Sequence, residues 1–144
     1  MQANQMTGLE LLQAMARGEL PGPSIAKTMP MSLVSAQEGS VVFHASANET
    51  HLNPLGGVHG GFAATVLDSV TGSAIHTMLE PGVGYATIDL SVKMLRPVPK
   101  HQQLIAEGKL VNLSTSLGVS EGTLKDPQGK LLATATATCM ILRP

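Results

Sequence analysis

Nine residues, Asn53-Pro54-Leu55-Gly56-Gly57-Val58-His59-Gly60-Gly61, run into a helical pattern that places Asp68 seven positions further on. A helix that opens on glycines presents backbone N–H groups that have no intrahelical acceptor and lie at the positive end of the macrodipole. Donors of that kind polarise a carbonyl oxygen. A carboxylate set among apolar neighbours on the same helix is then suited to act as a base or as a nucleophile, and the chemistry these residue types share is acyl chemistry.

Gly61, Thr65, Asp68 and Gly72 are spaced by four, three and four, so they lie along one helix edge, apart from the Val66, Val70 and Ala74 face. A glycine inside a helix costs about 1 kcal/mol relative to alanine, so Gly72 marks a close approach by a neighbouring strand or by a substrate. Taken alone, Asp68 reads as a surface carboxylate and the Gly60-Gly61 pair as tight packing. Together they read as a cleft in which Gly61, Thr65 and Gly72 give a substrate room. His59, at the start of the helix, is placed to cap it, to donate to a ligand or to touch the loop. The five histidines, His44, His51, His59, His76 and His101, show neither His-x-His nor His-Glu-x-x-His spacing, and one cysteine makes no zinc knuckle, so no metal is expected. There is no Gly-x-Ser-x-Gly, although a Ser-His-Asp triad built from distant residues stays open. The glycines lack the Gly-Lys-Ser/Thr of a phosphate loop, which argues against nucleotide-fuelled chemistry.

These residues need elements to hold them. Residues 8–17 suit a short amphipathic helix stopped by Gly18 and the Pro21-Gly22-Pro23 cluster. Met31 to Gln37 and Ser40 to Ser46 read as a hairpin turning at Glu38-Gly39, and residues 47–58 as a loop. The run from His59 to Leu79 places Ala63, Val66, Leu67, Val70, Ala74 and Met78 at helical spacing, with Phe62 and Ile75 widening the stripe into that of a largely buried helix. After Glu80-Pro81-Gly82 the period changes to two: Ala86, Ile88, Leu90, Val92 and Met94 alternate with Thr87, Asp89, Ser91 and Lys93. Three more strands are expected, at about Gln103 to Leu113, Ser116 to Lys125 and Lys130 to Leu142, the last two joined by an Asp126-Pro127-Gln128-Gly129 turn. The pattern predicts an α+β chain in which one antiparallel sheet, its last four strands a meander, wraps a long helix.

A length of 144 residues fits one domain, 1–144, with residues 1–30 as an accessory segment. A net charge of −1 with 13% charged residues supplies no basic field for nucleic acid. No stretch nears the roughly 20 apolar residues of a membrane helix, and the first twenty residues lack the basic start and apolar block of a signal peptide. The expectation is an unexported chain in the cytoplasm. With 43% hydrophobic residues but no Trp, one Tyr and two Phe, the core is aliphatic and small, and burial between subunits would add to its stability.

Asn53-Pro54, Val58-His59-Gly60-Gly61, Asp68, Tyr85-Ala86-Thr87-Ile88-Asp89-Leu90 and Met94-Leu95-Arg96-Pro97 together resemble the hotdog-fold acyl-CoA thioesterases of the phenylacetate-pathway, PaaI-like type, over about residues 40–142. The resemblance implies a hotdog fold, and dimers or tetramers with sites at the subunit interface. It implies that Asp68 is general base or nucleophile and that the Gly60 N–H polarises the thioester carbonyl. It also implies that Asn53 and His59 line the site and that Thr87 orients water near the carboxylate. Asp68 and Gly60 of one site would come from different chains. Coenzyme A would be part of the substrate, with no separate cofactor. Relatives often carry a Gly-Arg pair that meets the coenzyme A phosphates; here that region reads Asn112-Leu113-Ser114-Thr115-Ser116, which leaves Lys93 and Arg96 as candidate phosphate contacts or as solvated strand-end charges. Two alternatives to hydrolysis share the architecture: an acyl-CoA hydratase or dehydratase, and a non-catalytic acyl-CoA-binding protein.

Overall fold

The computed structural model describes residues 2–144; Met1, first residue of the expected accessory segment, lies outside them. The chain begins with helix α1 (Gly8–Ala16) and the short α2 (Ile25–Thr28), continues through strands β1 (Met31–Gln37) and β2 (Ser40–Ala45), and reaches the long helix α3 (Gly60–His76). Strands β3 (Gly84–Met94), β4 (Leu104–Leu113), β5 (Leu117–Lys125) and β6 (Leu131–Leu142) follow. Thr7 caps α1: its hydroxyl accepts from the Glu10 N–H at 3.1 Å while the Glu10 carboxylate accepts from the Thr7 N–H at 2.8 Å. A reciprocal cap of this type contributes about 1 kcal/mol. The sequence pattern did not anticipate α2 or the 3₁₀ turns Ala3–Gln5 and Glu49–His51, which are too short to show a period.

All six strands form one antiparallel sheet in the order β1-β2-β4-β5-β6-β3. The β1–β2 hairpin turns at Glu38-Gly39 with Gly39 at φ +75°, a conformation that suits glycine. The meander expected from β3 onwards holds only for β4, β5 and β6. β3 pairs with β6 at the far edge, and residues 95–103 cross back to β4. Pro97 and Pro99 lack N–H groups, so this link cannot continue as a ladder into a tight hairpin.

The sheet wraps α3, which buries Phe62, Ala63, Val66, Leu67, Val70, Ala74 and Ile75. α3 ends at His76, so Met78 leaves the stripe and is 39% exposed. The backbone of the sheet approaches the helix closely at Gly108 and its cross-strand partner Gly122, where a Cβ would strike the Val70 carbonyl and Thr71 respectively. A wide helix stripe and a glycine-floored sheet are thus one packing solution. This is the helix wrapped by a sheet that the hydrophobic periods implied.

Strand β3 departs from strict alternation. Thr87 pairs with Cys139 and Asp89 with Thr138, so Ile88 is an extra residue in a β-bulge. Before the bulge the odd residues Tyr85 and Thr87 face α3; after it the even residues Leu90 and Val92 do. Ala86 and Ile88, expected on the inner face, are exposed, Ile88 at 55%. The bulge turns Thr87 inward.

Candidate active site

Two polar constellations lie along α3. At its start, His59 is the N-cap: its Nδ1 accepts from the Gly61 N–H at 2.7 Å, and its carbonyl accepts from the Phe62 N–H at 2.9 Å. Among the described residues, the Gly60 N–H, which precedes both, has no acceptor. Because Nδ1 accepts, the proton of the neutral ring sits on Nε2, which is free to donate outward. Asn53 shapes the approach: its Oδ1 accepts from the Leu55 and Gly57 N–H groups at 2.9 and 3.2 Å, which leaves its amide nitrogen as the free end. A Cβ at Gly60 would lie 2.6 Å from Met94 Sδ, so the flexible end of Met94 would have to shift to admit one.

Two turns further on, half-buried Asp68 accepts through Oδ1 from the Thr87 hydroxyl at 2.8 Å. The only hydrogen of that hydroxyl is thereby committed, so its oxygen accepts from the Cys139 thiol 3.6 Å away. Burial pushes the Cys139 thiol above its ordinary pKa, so it remains a neutral donor. Asp68 follows Gly60 by eight residues, or roughly 12 Å of helix rise. A single carbonyl cannot touch both within one chain.

The remaining expected residues are placed as follows. Thr65 donates to the Gly61 carbonyl at 2.8 Å, so its hydroxyl is engaged inside the helix. The close approach at Gly72 is made by this chain itself: the Tyr85 ring fills the space, with Cε2 2.6 Å from where a Cβ would stand. Lys93 lies with Glu107, Lys109 and Glu121 on the sheet face remote from α3, because the bulge sets Ser91 and Lys93 outward. Arg96 donates to the Leu131 carbonyl at 2.7 Å and ties the end of β3 to the start of β6. Neither cation faces the Asp68–Thr87 pair of its own chain. Among the described residues, no group of three or more His, Cys, Asp and Glu side chains is placed to hold a metal.

Three further residues were not singled out as site residues from the sequence. Tyr85 and Cys139 flank Thr87, and Met94 covers the helix start. Burial raises the Tyr85 pKa, with Cys139 and Asp68 adding to the shift. Its ring centroid is 5.4 Å from that of His76, whose pKa burial lowers. The Tyr85 ring therefore stays neutral beside the carboxylate.

The sequence pattern of the thioesterase superfamily matches residues 55–133, which takes in Gly60, Asp68 and Thr87. The chain belongs to the thioesterase superfamily. This thioesterase-superfamily chain is similar in structure to a phenylacetic acid degradation-related protein from Ralstonia eutropha JMP134, at 34% identity and TM-score 0.81, covering 90% of this chain and 98% of the other. Human acyl-coenzyme A thioesterase 13 is 26% identical over 104 residues, 72% of this chain and 74% of that protein. A Halobacterium salinarum protein is 40% identical over 74 residues, 50% of this chain, and the alignment spans about half of that relative, 48%. The hotdog fold and the phenylacetate-type likeness expected from the sequence both hold. No helix among the described residues is long and apolar enough to cross a membrane.

Proposed function

We propose that the chain hydrolyses acyl-CoA thioesters to a free acid and coenzyme A. The observation that carries this reading is the Asp68 carboxylate held by Thr87 on a helix whose first N–H, that of Gly60, has no acceptor among the described residues. The Gly60 N–H polarises the thioester carbonyl as it becomes an oxyanion. Acting as base, Asp68 takes a proton from water as the water oxygen adds to the carbonyl carbon; the C–S bond then breaks and the thiolate leaves with that proton. Acting as nucleophile, the Asp68 carboxylate adds to the carbonyl carbon and expels the coenzyme A thiolate as the C–S bond breaks; water then opens the mixed anhydride, giving the acid, the free carboxylate and the thiolate's proton. Nε2–H of His59 and the amide nitrogen of Asn53 stand at the carbonyl end of the site, and the helix edge at Gly61 and Thr65 borders the substrate's path.

The 12 Å of helix between Gly60 and Asp68 favours a site shared by two copies. β3 lies at the edge of the sheet, with one side of its ladder unpaired in the single chain. Met94 at one end of β3 covers Gly60, while Thr87 near the other holds Asp68. Antiparallel pairing of two β3 strands about a two-fold axis sets each Met94 end beside the other copy's Thr87 end. Each Gly60 N–H then serves the partner's carboxylate. A homodimer, or a homotetramer built from two, follows, and Lys93 and Arg96 at the end of β3 are the cations available near its rim for coenzyme A phosphates.

The test is thiol release from a panel of acyl-CoA thioesters. Asp68→Asn is expected to lose turnover by at least about a thousandfold, the scale of removing an essential group, with little change in thermal unfolding. Turnover at the wild-type rate in Asp68→Asn would remove Asp68 from the mechanism. Consumption of an enoyl-CoA without thiol release would instead indicate hydration.

A further inference from the structure

Cys139 is the one cysteine of the chain, and the hydrolysis described above gives it no task. It stands on β6 directly opposite Thr87 of β3, at the last paired position before the bulge at Ile88. Residues opposite one another on neighbouring strands point to the same face of the sheet, so both side chains turn toward α3. On its other sides Cys139 is fully buried among Ile75, Leu79, Val83 and Ile141, whose side chains accept no hydrogen bond.

The Thr87 hydroxyl has two side-chain neighbours, Asp68 Oδ1 at 2.8 Å and Cys139 Sγ at 3.6 Å, and no third among the described residues. It has one hydrogen for the two. A carboxylate oxygen is a far stronger acceptor than a thiol sulfur, so the hydrogen goes to Asp68 and the S–H points at the Thr87 oxygen from behind. Burial keeps the thiol protonated, as a donor must be. A hydroxyl that accepts on one side is polarised into a better donor on the other, so the three groups form a chain that runs from β6 through β3 to α3.

We propose that Cys139 is a positioning residue for the hydrolysis: its thiol donates to Thr87 Oγ1 and so holds the Thr87 hydroxyl on Asp68, which leaves the second carboxylate oxygen to the reactant. This rests on the acyl-thioester reading above and adds to its site a residue that touches no substrate. Cysteine meets two demands with one small side chain. It packs as a hydrophobe against Ile75 and Ile141, and it carries a hydrogen for Thr87. Alanine meets only the first demand, and serine meets only the second.

With a single cysteine in the chain, one S–H stretching band in the infrared reports this bond without any substrate. A donating thiol absorbs at lower frequency than a free one. The wild-type band is expected below that of Thr87→Val, which keeps the shape of the side chain and lacks the acceptor, with Asp68→Asn between the two because a neutral amide draws the Thr87 hydrogen less strongly. Thiol release from acyl-CoA supplies the second readout. Cys139→Ala is expected to lower kcat about three- to tenfold, the scale of one weak hydrogen bond, with KM unchanged within about twofold. Cys139→Ser is expected to recover most of that loss, and because serine and alanine are nearly equal in size the recovery reads the donor and not the packing. A band at one frequency in wild type and Thr87→Val, a kcat in Cys139→Ala equal to wild type, or equal kcat in Cys139→Ala and Cys139→Ser overturns the proposal. The expected band shifts together with no thiol release by the wild type would overturn hydrolysis while leaving the hydrogen-bond chain standing.

Discussion

Thr87 has one hydroxyl hydrogen, and it goes to Asp68. That bond fixes which carboxylate oxygen is engaged and which is left to face a reactant. Hydrogen bonds to charged groups are worth about 1.5–3 kcal/mol, so removing this one while keeping the shape of the side chain tests its part in catalysis. Thr87→Val is expected to lower kcat roughly ten- to a hundredfold with KM little changed, and Thr87→Ser to recover most of it; thiol-release kinetics on the three proteins check this. A kcat in Thr87→Val equal to wild type would leave Thr87 a packing residue. Asp68 and Gly60 were legible in the sequence because glycines at a helix start and a carboxylate on its small-residue edge are unusual enough to need a reason. Thr87 was identified through the family resemblance alone, since alternation placed it on the outer face with Asp89. Tyr85 entered only as part of the stretch that carries the resemblance, and Cys139 left no signal: a lone aromatic and a lone cysteine in apolar strands look like core filling.

The bulge at Ile88 shows what strand periods conceal. A single extra residue leaves both halves of β3 alternating, so the sequence reads as one unbroken strand although its two halves present opposite parities to the helix. Strand partners were equally hidden, because amphipathic strands carry no mark of which neighbour they pair with, and β3 exchanged the expected β4 for β6. α3 was more transparent, since a stripe this wide has to be wrapped. Its last turn also carries a pH response. Burial lowers the His76 pKa from its ordinary value of 6.5, so below that value the unfolded chain binds a proton that the folded chain resists. The stability His76 contributes is complete above pH 6.5 and is lost as pH falls from there through the lowered folded value. The stability that Glu19 and Glu49 contribute, with their pKa values held below the ordinary 4.5, is present above pH 4.5 and is lost only as pH falls from there. Thermal unfolding between about pH 7.5 and 5 is therefore expected to show a larger fall in Tm for the wild type than for His76→Gln. Parallel curves for the two proteins would show that His76 does not titrate differently on folding.

At the scale of the whole molecule, the separation of Gly60 from Asp68 makes a claim about assembly that two dead proteins can test. In the single chain the Gly60 N–H and the Asp68 carboxylate lie roughly 12 Å apart on one helix, and no loop movement shortens a helix. Sharing between two-fold-related copies would resolve this, through the β3–β3 pairing proposed above, which sets the start of one α3 beside the middle of the other. Gly60→Pro removes the N–H at the first helical position, where proline is tolerated and only the flexible end of Met94 has to shift, while Asp68→Asn removes the carboxylate. Each protein alone is expected to be inactive. When the two are co-expressed and chains pair at random, about half of the dimers are mixed, and each mixed dimer holds one site with both groups intact and one with neither. Thiol release is then expected to return to about a quarter of the wild-type rate per chain, and to depend on protein concentration as the dimer does. Restoration confined to the dimer peak on size exclusion ties catalysis to the shared edge of β3. Activity that stays at the level of the separate variants, with mixed dimers demonstrated by mass, would place both groups of each site on a single chain and remove the reason for the pairing.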